Sequence, residues 1–154
     1  IPKNSPNNEA FTMSKIVKER LERIKPWENV WNADLPKRLQ INAKSAKLSQ
    51  IYRRLHKDKP SYTITGSGGG GTHGYHYAEP RPLTNRERAA LQTFPNTYKF
   101  EGGTSSVRKQ IGMAVPPKLA KVVFESVLKS LIGVEYETVD PNLEPKSMSL
   151  FNGI

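Results

Sequence analysis

The middle of the chain carries the stretch Arg81-Pro82-Leu83-Thr84-Asn85-Arg86-Glu87-Arg88-Ala89-Ala90-Leu91-Gln92-Thr93-Phe94-Pro95. Within it, Thr84 followed three residues later by Glu87 is a capping box, in which the hydroxyl and the carboxylate satisfy N–H groups of the first helical turn. A helix is therefore predicted from Asn85 to about Thr93. Pro95 ends it, because proline cannot donate to the helical ladder.

Helical spacing recurs on both sides of this stretch. Upstream, the apolar positions from Met13 to Ile24 predict an amphipathic helix that stops near Lys25-Pro26. Downstream, a longer helix is predicted from Pro116-Pro117 until Gly133. Its apolar positions are Leu119, Val122, Val123, Val127, Leu128, Leu131 and Ile132. This stripe is wide for a small domain, which indicates packing on a surface outside the chain.

A glycine-rich segment follows a β-prone one. Ser61-Tyr62-Thr63-Ile64-Thr65 predicts a strand, and it runs into Gly66-Ser67-Gly68-Gly69-Gly70-Gly71. A phosphate-binding P-loop needs Lys-Ser/Thr directly after the glycines, whereas Thr72-His73 follows here. The run is either a flexible surface linker or a place where the backbone approaches a ligand closely.

The charge distribution suggests a partner class. The chain of 154 residues has room for one domain, or one domain and an extended arm, and its net charge is +10. Residues 15–60 have a surplus of eight positive charges, whereas residues 124–150 have three more acidic than basic residues. Such a basic block indicates a polyanion such as nucleic acid, because Lys and Arg displace counterions from phosphates. A solvated basic surface without further function is the alternative.

The composition excludes several kinds of chemistry. The chain has no cysteine and three histidines, so disulfides, thiolate nucleophiles and a typical zinc site are not expected. No apolar run approaches the length of a membrane span, which favours a cytoplasmic protein. Ile1-Pro2-Lys3 contains neither an initiator Met nor the start of a signal peptide, so we expect either a fragment of a longer chain or a chain from which disordered residues are missing.

Three blocks together resemble a known family. Arg81–Pro95 resembles the ninth sequence motif of the DNA (cytosine-5) methyltransferases. The stretch Arg108-Lys109-Gln110-Ile111-Gly112-Met113-Ala114-Val115-Pro116-Pro117 resembles their tenth motif. Upstream, Lys59–Gly66 and the glycines after it look like the end of their target-recognition region. Order and spacing agree with the family over residues 48–132.

This resemblance implies an α+β fold, as the C-terminal fragment of an α/β methyltransferase. We expect a small, twisted, mostly antiparallel sheet with irregular loops and two or three helices. Residues 1–12 would be a flexible lead-in, and 13–107 a target-recognition domain that includes the ninth-motif helix. Residues 108–133 would be the tenth-motif loop and helix that pack on an absent catalytic domain, and 134–154 an irregular tail.

In the family, a Cys attacks a cytosine that has been flipped out of duplex DNA, and S-adenosylmethionine supplies the methyl group to C5. This chain has no Cys, so the resemblance implies no catalytic residue here and a chain that is inactive alone. Its expected role is DNA recognition: arginines read guanine, a Thr contacts the backbone, lysines bind phosphates and glycines allow close approach. The corresponding positions are Arg53, Arg54, Lys57, Thr63, Thr65, Ser67, Gly68, Gly69 and Gly70.

The tenth motif implies a minor share in cofactor binding. S-adenosylmethionine would be bound mostly by the absent N-terminal half, and the contacts from this chain would come from Gln110, Gly112, Met113, Ala114 and Val115. Met113 stands where many family members have Asn, so backbone contacts are expected there. The partners implied are double-stranded DNA and the catalytic N-terminal half. The alternative is a non-enzymatic, sequence-specific DNA-binding module.

Overall fold

The computed structural model describes residues 1–2, 4–42, 48–67 and 71–138. They form four α-helices and one short 3₁₀ helix. The α-helices are α1 (Lys15–Arg23), α2 (Asn85–Leu91), α3 (Thr104–Met113) and α4 (Pro117–Leu131), and the 3₁₀ helix is Lys37–Leu39. The chain divides into two compact units, Ile1–Lys118 and the remainder from Leu119 on.

The prediction of a small antiparallel sheet was wrong. The described ranges contain no β-strand, and their strand-like pairing is limited to isolated bridges between Arg54 and Tyr75 and between Tyr75 and Pro82. The predicted strand Ser61–Thr65 is irregular. Its β-prone residues were insufficient because a strand needs an extended neighbour, and here the backbone near Thr65 lies against helix α3 instead.

Two apolar clusters hold the first unit together. One joins Leu21 and Ile24, at the end of α1, to loop residues from the first half of the chain and to Tyr75. The other lies between α2 and α3 and includes Ile64, Ala89 and Ile111. Each fully buried Leu or Ile contributes about 1.5–3 kcal/mol. These clusters therefore replace a sheet as the scaffold of the unit.

The capping box at the start of α2 is confirmed. Glu87 N–H donates to the Thr84 hydroxyl over 3.1 Å, and Thr84 N–H donates to the Glu87 carboxylate over 2.8 Å. The carboxylate also pairs with Arg81 at 2.7 Å. Burial raises the pKa of Glu87, but the Arg81 hydrogen bond and the Thr84 N–H outweigh it, and the net shift is downward.

Part of the expected lead-in is anchored to α2. The buried guanidinium of Arg86 donates to the Pro6 carbonyl over 2.8 Å and to the Pro95 carbonyl over 3.0 Å. The Asn7 amide donates to Phe100 O, and Phe100 N–H donates back to Asn7 Oδ1. These bonds place Pro6 and Asn7 in the folded unit beside the ninth-motif helix.

Helix α3 was not predicted. The interval from Arg108, expected as a loop, forms the second half of this helix, which ends at Met113. Gly103 is the residue before the helix and provides no side-chain cap, so the start signal that marks α2 is missing here. The next predicted helix is confirmed as α4.

Candidate nucleic-acid interface

The Arg53 guanidinium lies close to two aromatic rings. Its guanidinium carbon is 4.4 Å from the centroid of the Trp27 ring and 5.6 Å from that of Tyr62. Its Nε is buried without a hydrogen-bond partner. Among the described residues none accepts a hydrogen bond from this side chain, which is half-buried. The Nη edge is therefore free to donate to a ligand.

Its neighbour Arg54 is in a different environment. Only 6% of the residue is exposed, and its guanidinium donates to four backbone carbonyls. Two bonds reach the end of α1, at Leu21 (3.3 Å) and Ile24 (2.8 Å), and two reach His76 (3.0 Å) and Tyr77 (2.6 Å). These bonds use the donors that base recognition would need, and they indicate a structural role.

The remaining residues predicted to contact DNA follow Arg53 along an exposed segment. The Lys57 side chain is 69% exposed and lies 3.7 Å from Asp58. Thr63 and Ser67 are exposed, and the half-buried Thr65 donates its hydroxyl to Ser67 O over 3.2 Å. The glycines predicted to approach the bases, Gly68, Gly69 and Gly70, lie outside the described residues.

Two glycines bring this segment against α3. A Cβ on Gly112 would overlap the carbonyl carbon of Thr65 and the N and Cα atoms of Gly66. A Cβ on Gly66 would in turn meet Lys109 O at 3.0 Å. The backbones touch because neither residue has a side chain. The structure thus places the predicted DNA segment directly beside the tenth motif.

The five positions predicted to contact the cofactor differ in availability. Gln110 donates its amide to Glu101 O over 2.9 Å and to the Ser106 hydroxyl over 3.2 Å. Met113 and Val115 are exposed, at 72% and 64%. Gly112 and Ala114 line an open cavity of about 420 Å³ that Thr63 also lines. The side chains of Met113 and Val115 are therefore available for contacts, whereas the Gln110 amide is already hydrogen-bonded within the chain.

Arg88 and Arg108 bring positive charge close to His73. Arg88 in α2 is 2% exposed, and its Nε and Nη2 have no hydrogen-bond partner within the described part of the chain. Burial, followed by the nearby charge of Arg108, lowers the pKa of Arg88 to about 10. Arg108 Nη1 also lies 3.3 Å from the Nδ1 of His73. Burial, Arg108 and Arg88 together lower the pKa of His73 below its ordinary value of 6.5.

Acidification is expected to destabilise the fold through His73. Its folded-state pKa lies below the unfolded value of 6.5, so the unfolded chain binds more protons. Its contribution to stability is complete above pH 6.5 and is lost as the pH falls through the folded pKa. We expect the thermal midpoint to fall with pH in this range, and less steeply in His73→Gln. Equal slopes in thermal melts of the two proteins would contradict this role.

The two aromatic residues near Arg53 could not be identified as a group from the sequence. Tyr62 lies in a β-prone run, and Trp27 lies 26 residues before Arg53 along the chain. Trp27 adopts a φ of +72°, a backbone state that no sequence signal indicated for a tryptophan. The pairing of Trp27 with Arg53 is a tertiary contact, and local periodicity carries no information about it.

The described part of the chain has no group of three or more His, Cys, Asp or Glu residues that could hold a metal ion. Within the same part, none of the helices has the length and apolar character that a membrane span requires.

Comparison with known proteins connects this geometry to a family. Residues 1–129 match the family described as C-5 cytosine-specific DNA methylase. The chain is 54% identical over 149 residues to the type II methyltransferase M.BbvI of Brevibacillus brevis. It is 45% identical over 140 residues to the type II methyltransferase M.NgoFVII of Neisseria gonorrhoeae. It is 46% identical over 121 residues to the DNA (cytosine-5-)-methyltransferase M.ApeKI of Aeropyrum pernix.

These alignments cover most of the chain and a smaller part of each relative. They include 97%, 91% and 78% of the chain, but 40%, 36% and 25% of the three relatives. The chain therefore corresponds to less than half of each of these enzymes. On the family match and these identities, the chain belongs to the C-5 cytosine-specific DNA methylase family.

Proposed function

We propose that this chain is the target-recognition portion of a DNA (cytosine-5) methyltransferase of a restriction-modification system. The observation that carries the proposal is the environment of Arg53. Its guanidinium lies close to two rings, and its Nη donors have no acceptor among the described residues. A guanidinium with two free donors matches the O6 and N7 acceptors of guanine in the major groove.

The residues around Arg53 suit contacts to the DNA backbone. Lys57 and Lys59 are exposed cations of the same segment, and they would bind phosphates without reading sequence. Thr63, Thr65 and Ser67 would donate hydroxyls near the target, and Gly68–Gly70 would let the backbone approach the bases. Arg54 is not included among the base-reading residues, because its guanidinium already donates to four backbone carbonyls.

We also propose that catalysis requires a partner domain. The chain has no Cys to attack a flipped cytosine, so we expect it to be inactive alone. Helix α4 would pack on the catalytic half through apolar side chains that are about half or more exposed. These are Leu119, Val122, Val123, Phe124, Val127, Leu128 and Leu131. Exposure of so many apolar groups on one helix is typical of a surface that a partner covers.

The end of α3 would complete the cofactor site in that assembly. S-adenosylmethionine supplies the methyl group when it is bound there. Met113 and Val115 would contribute apolar surface, and Gly112 and Ala114 would line its edge, as they line the cavity of about 420 Å³. Gln110 would act indirectly, since its amide holds the loop before α3.

A reconstitution experiment tests the proposal. The chain is mixed with the catalytic half of a related enzyme, labelled methyl donor and duplex DNA. We expect methyl transfer in the mixture and none with either part alone. Duplex binding without restored transfer would favour a non-enzymatic DNA-binding module. Failure to prefer any duplex sequence would contradict the recognition role.

Two substitutions separate the recognition of a base from the general affinity for duplex DNA. We expect Arg53→Ala to weaken the guanine preference at one position by roughly 5- to 150-fold, the value of one bidentate contact. Lys57→Ala is expected to weaken binding equally on all sequences and to lower the salt slope by about one. Selection from a duplex library with a randomised core, with salt titrations, measures both. Equal loss on all sequences for Arg53→Ala would contradict its assignment.

A further inference from the structure

We infer that Trp27 and Tyr62 are positioning residues for DNA recognition, which hold the Arg53 guanidinium with its Nη edge presented to a guanine. The inference rests on the proposed role of Arg53 and adds to it the residues that determine its precision. Neither aromatic residue needs to touch the DNA for this role. Their effect would pass through the orientation of one side chain.

The contacts around Arg53 form a clamp. The Trp27 ring lies 4.4 Å from the guanidinium carbon and the Tyr62 ring 5.6 Å from it, within the range of cation–π attraction. The Tyr62 hydroxyl donates to the backbone carbonyl of Arg53 over 2.9 Å. Tyr62 thus holds both the main chain and the side chain of the same residue.

The Trp27 side of the clamp is fixed to the core. Trp27 N–H donates to Arg54 O over 3.2 Å, and Arg54 N–H donates to Glu28 O over 3.0 Å. The Glu28 carboxylate closes the turn by accepting from Lys25 N–H over 3.0 Å. Arg54 is itself bound to four carbonyls. These bonds therefore attach the Trp27 backbone to that of the buried Arg54.

The buried Nε of Arg53 leaves one edge for a ligand. Because Nε has no solvent contact and no partner among the described residues, only the Nη groups can donate outward. A long, flexible arginine normally loses rotamer freedom when it binds a base. A side chain already restricted by contacts with two rings loses less, which raises both affinity and discrimination.

The Trp27 ring contacts a second cation, the ammonium group of Lys59. Its Nζ lies 4.9 Å from the ring centroid, so two cations share one indole. His56 approaches the same ring edge-on, with centroids 6.5 Å apart. A ring surrounded in this way is poorly placed to stack on a base. This arrangement favours positioning over direct stacking as its role.

The test is selection from a duplex library with a randomised core, applied to the chain and its variants. We expect Trp27→Leu to reduce the guanine preference roughly 2- to 30-fold, at the same position that Arg53→Ala flattens. Trp27→Phe should keep most of it, because a ring remains. Tyr62→Leu provides an independent second variant with the same expected position.

Trp31→Leu is the matched control, since it removes the other tryptophan. Trp31 packs against the α1 cluster and donates its indole N–H to Leu48 O over 2.8 Å. We expect it to lower the thermal midpoint and leave the base preference unchanged. If Trp27→Leu also lowers the thermal midpoint and leaves the base preference unchanged, the role of Trp27 is structural and the inference is wrong.

The outcomes separate this inference from the proposed function. If Arg53→Ala flattens one position and neither Trp27→Leu nor Tyr62→Leu affects it, the positioning role fails while recognition by Arg53 stands. If Arg53→Ala leaves every position unchanged, the proposed reading by Arg53 fails first. A loss confined to the Arg53 position in both aromatic variants supports the clamp.

Discussion

Gly112→Ala is expected to lower the thermal midpoint by about 6–12 °C, the equivalent of about 3 kcal/mol in a chain of this size. In an ordinary helix the same change would stabilise by about 1 kcal/mol. Here the new methyl group would overlap the backbone of Thr65 and Gly66. Two backbones must separate to admit it, and overpacking of this kind typically costs about 1–3 kcal/mol and sometimes more.

The same helix offers the control. Gly103 precedes α3 and has no atom within 4 Å of an added Cβ. Gly103 is the N-cap of α3, where glycine is preferred over alanine, so we expect Gly103→Ala to lower the free energy of unfolding by no more than about 1 kcal/mol, or about 2–4 °C in midpoint. Calorimetric or circular-dichroism melts of both variants give the comparison. Equal midpoints in the two variants would show that the contact between Gly66 and Gly112 is not a constraint.

The Gly112 variant also has a functional readout. Because the contact joins the segment predicted to read DNA to the motif predicted to meet the cofactor, separating the backbones should disturb both. We expect Gly112→Ala to weaken duplex binding through the backbone contacts proposed for Thr63 and Thr65, even below its melting temperature. Loss of methyl transfer in the reconstituted enzyme with unchanged duplex binding would assign Gly112 to the cofactor side alone.

Arg54→Met is expected to destabilise the fold by at least about 3 kcal/mol. The change removes the donor of four hydrogen bonds, two of them buried and two partly buried. A buried carbonyl without a donor costs about 1–3 kcal/mol. Methionine keeps the apolar stem, so the loss reports on the guanidinium. The midpoint should fall by about 6–12 °C.

The adjacent arginine is the matched control for Arg54. The Arg53 guanidinium makes cation–π contacts and no hydrogen bonds among the described residues. Its loss in Arg53→Met should therefore cost about 0.5–1 kcal/mol, the value at a partly exposed site. We expect a small change in midpoint and a large change in base preference, the opposite of Arg54→Met. Similar melting behaviour in the two variants would contradict the division of roles between these neighbours.

The sequence by itself determined the family and the helices with strong local signals, and it supplied the proposed position of the site. Thr84 and Glu87 specify the start of α2 through contacts within one turn, so a linear pattern reveals them. The periodic apolar residues after Pro117 specify α4 in the same way. Charge and motif order pointed to the segment from Arg53 to Ser67.

Only the tertiary structure decided which environment, and hence which role, each of two neighbouring residues has. Residues 53 and 54 are both arginine. The Arg54 guanidinium donates to backbone carbonyls, including those of Ile24 and His76, whereas the Arg53 guanidinium contacts aromatic rings. Gly112 could be assigned to the cofactor by motif alone, and its packing on Gly66 depends on a fold that brings the two together. The expected sheet is missing from the described residues because strand formation needs a partner segment, and α3 occupies that place. Such contacts join residues far apart in the chain, and no local pattern encodes them.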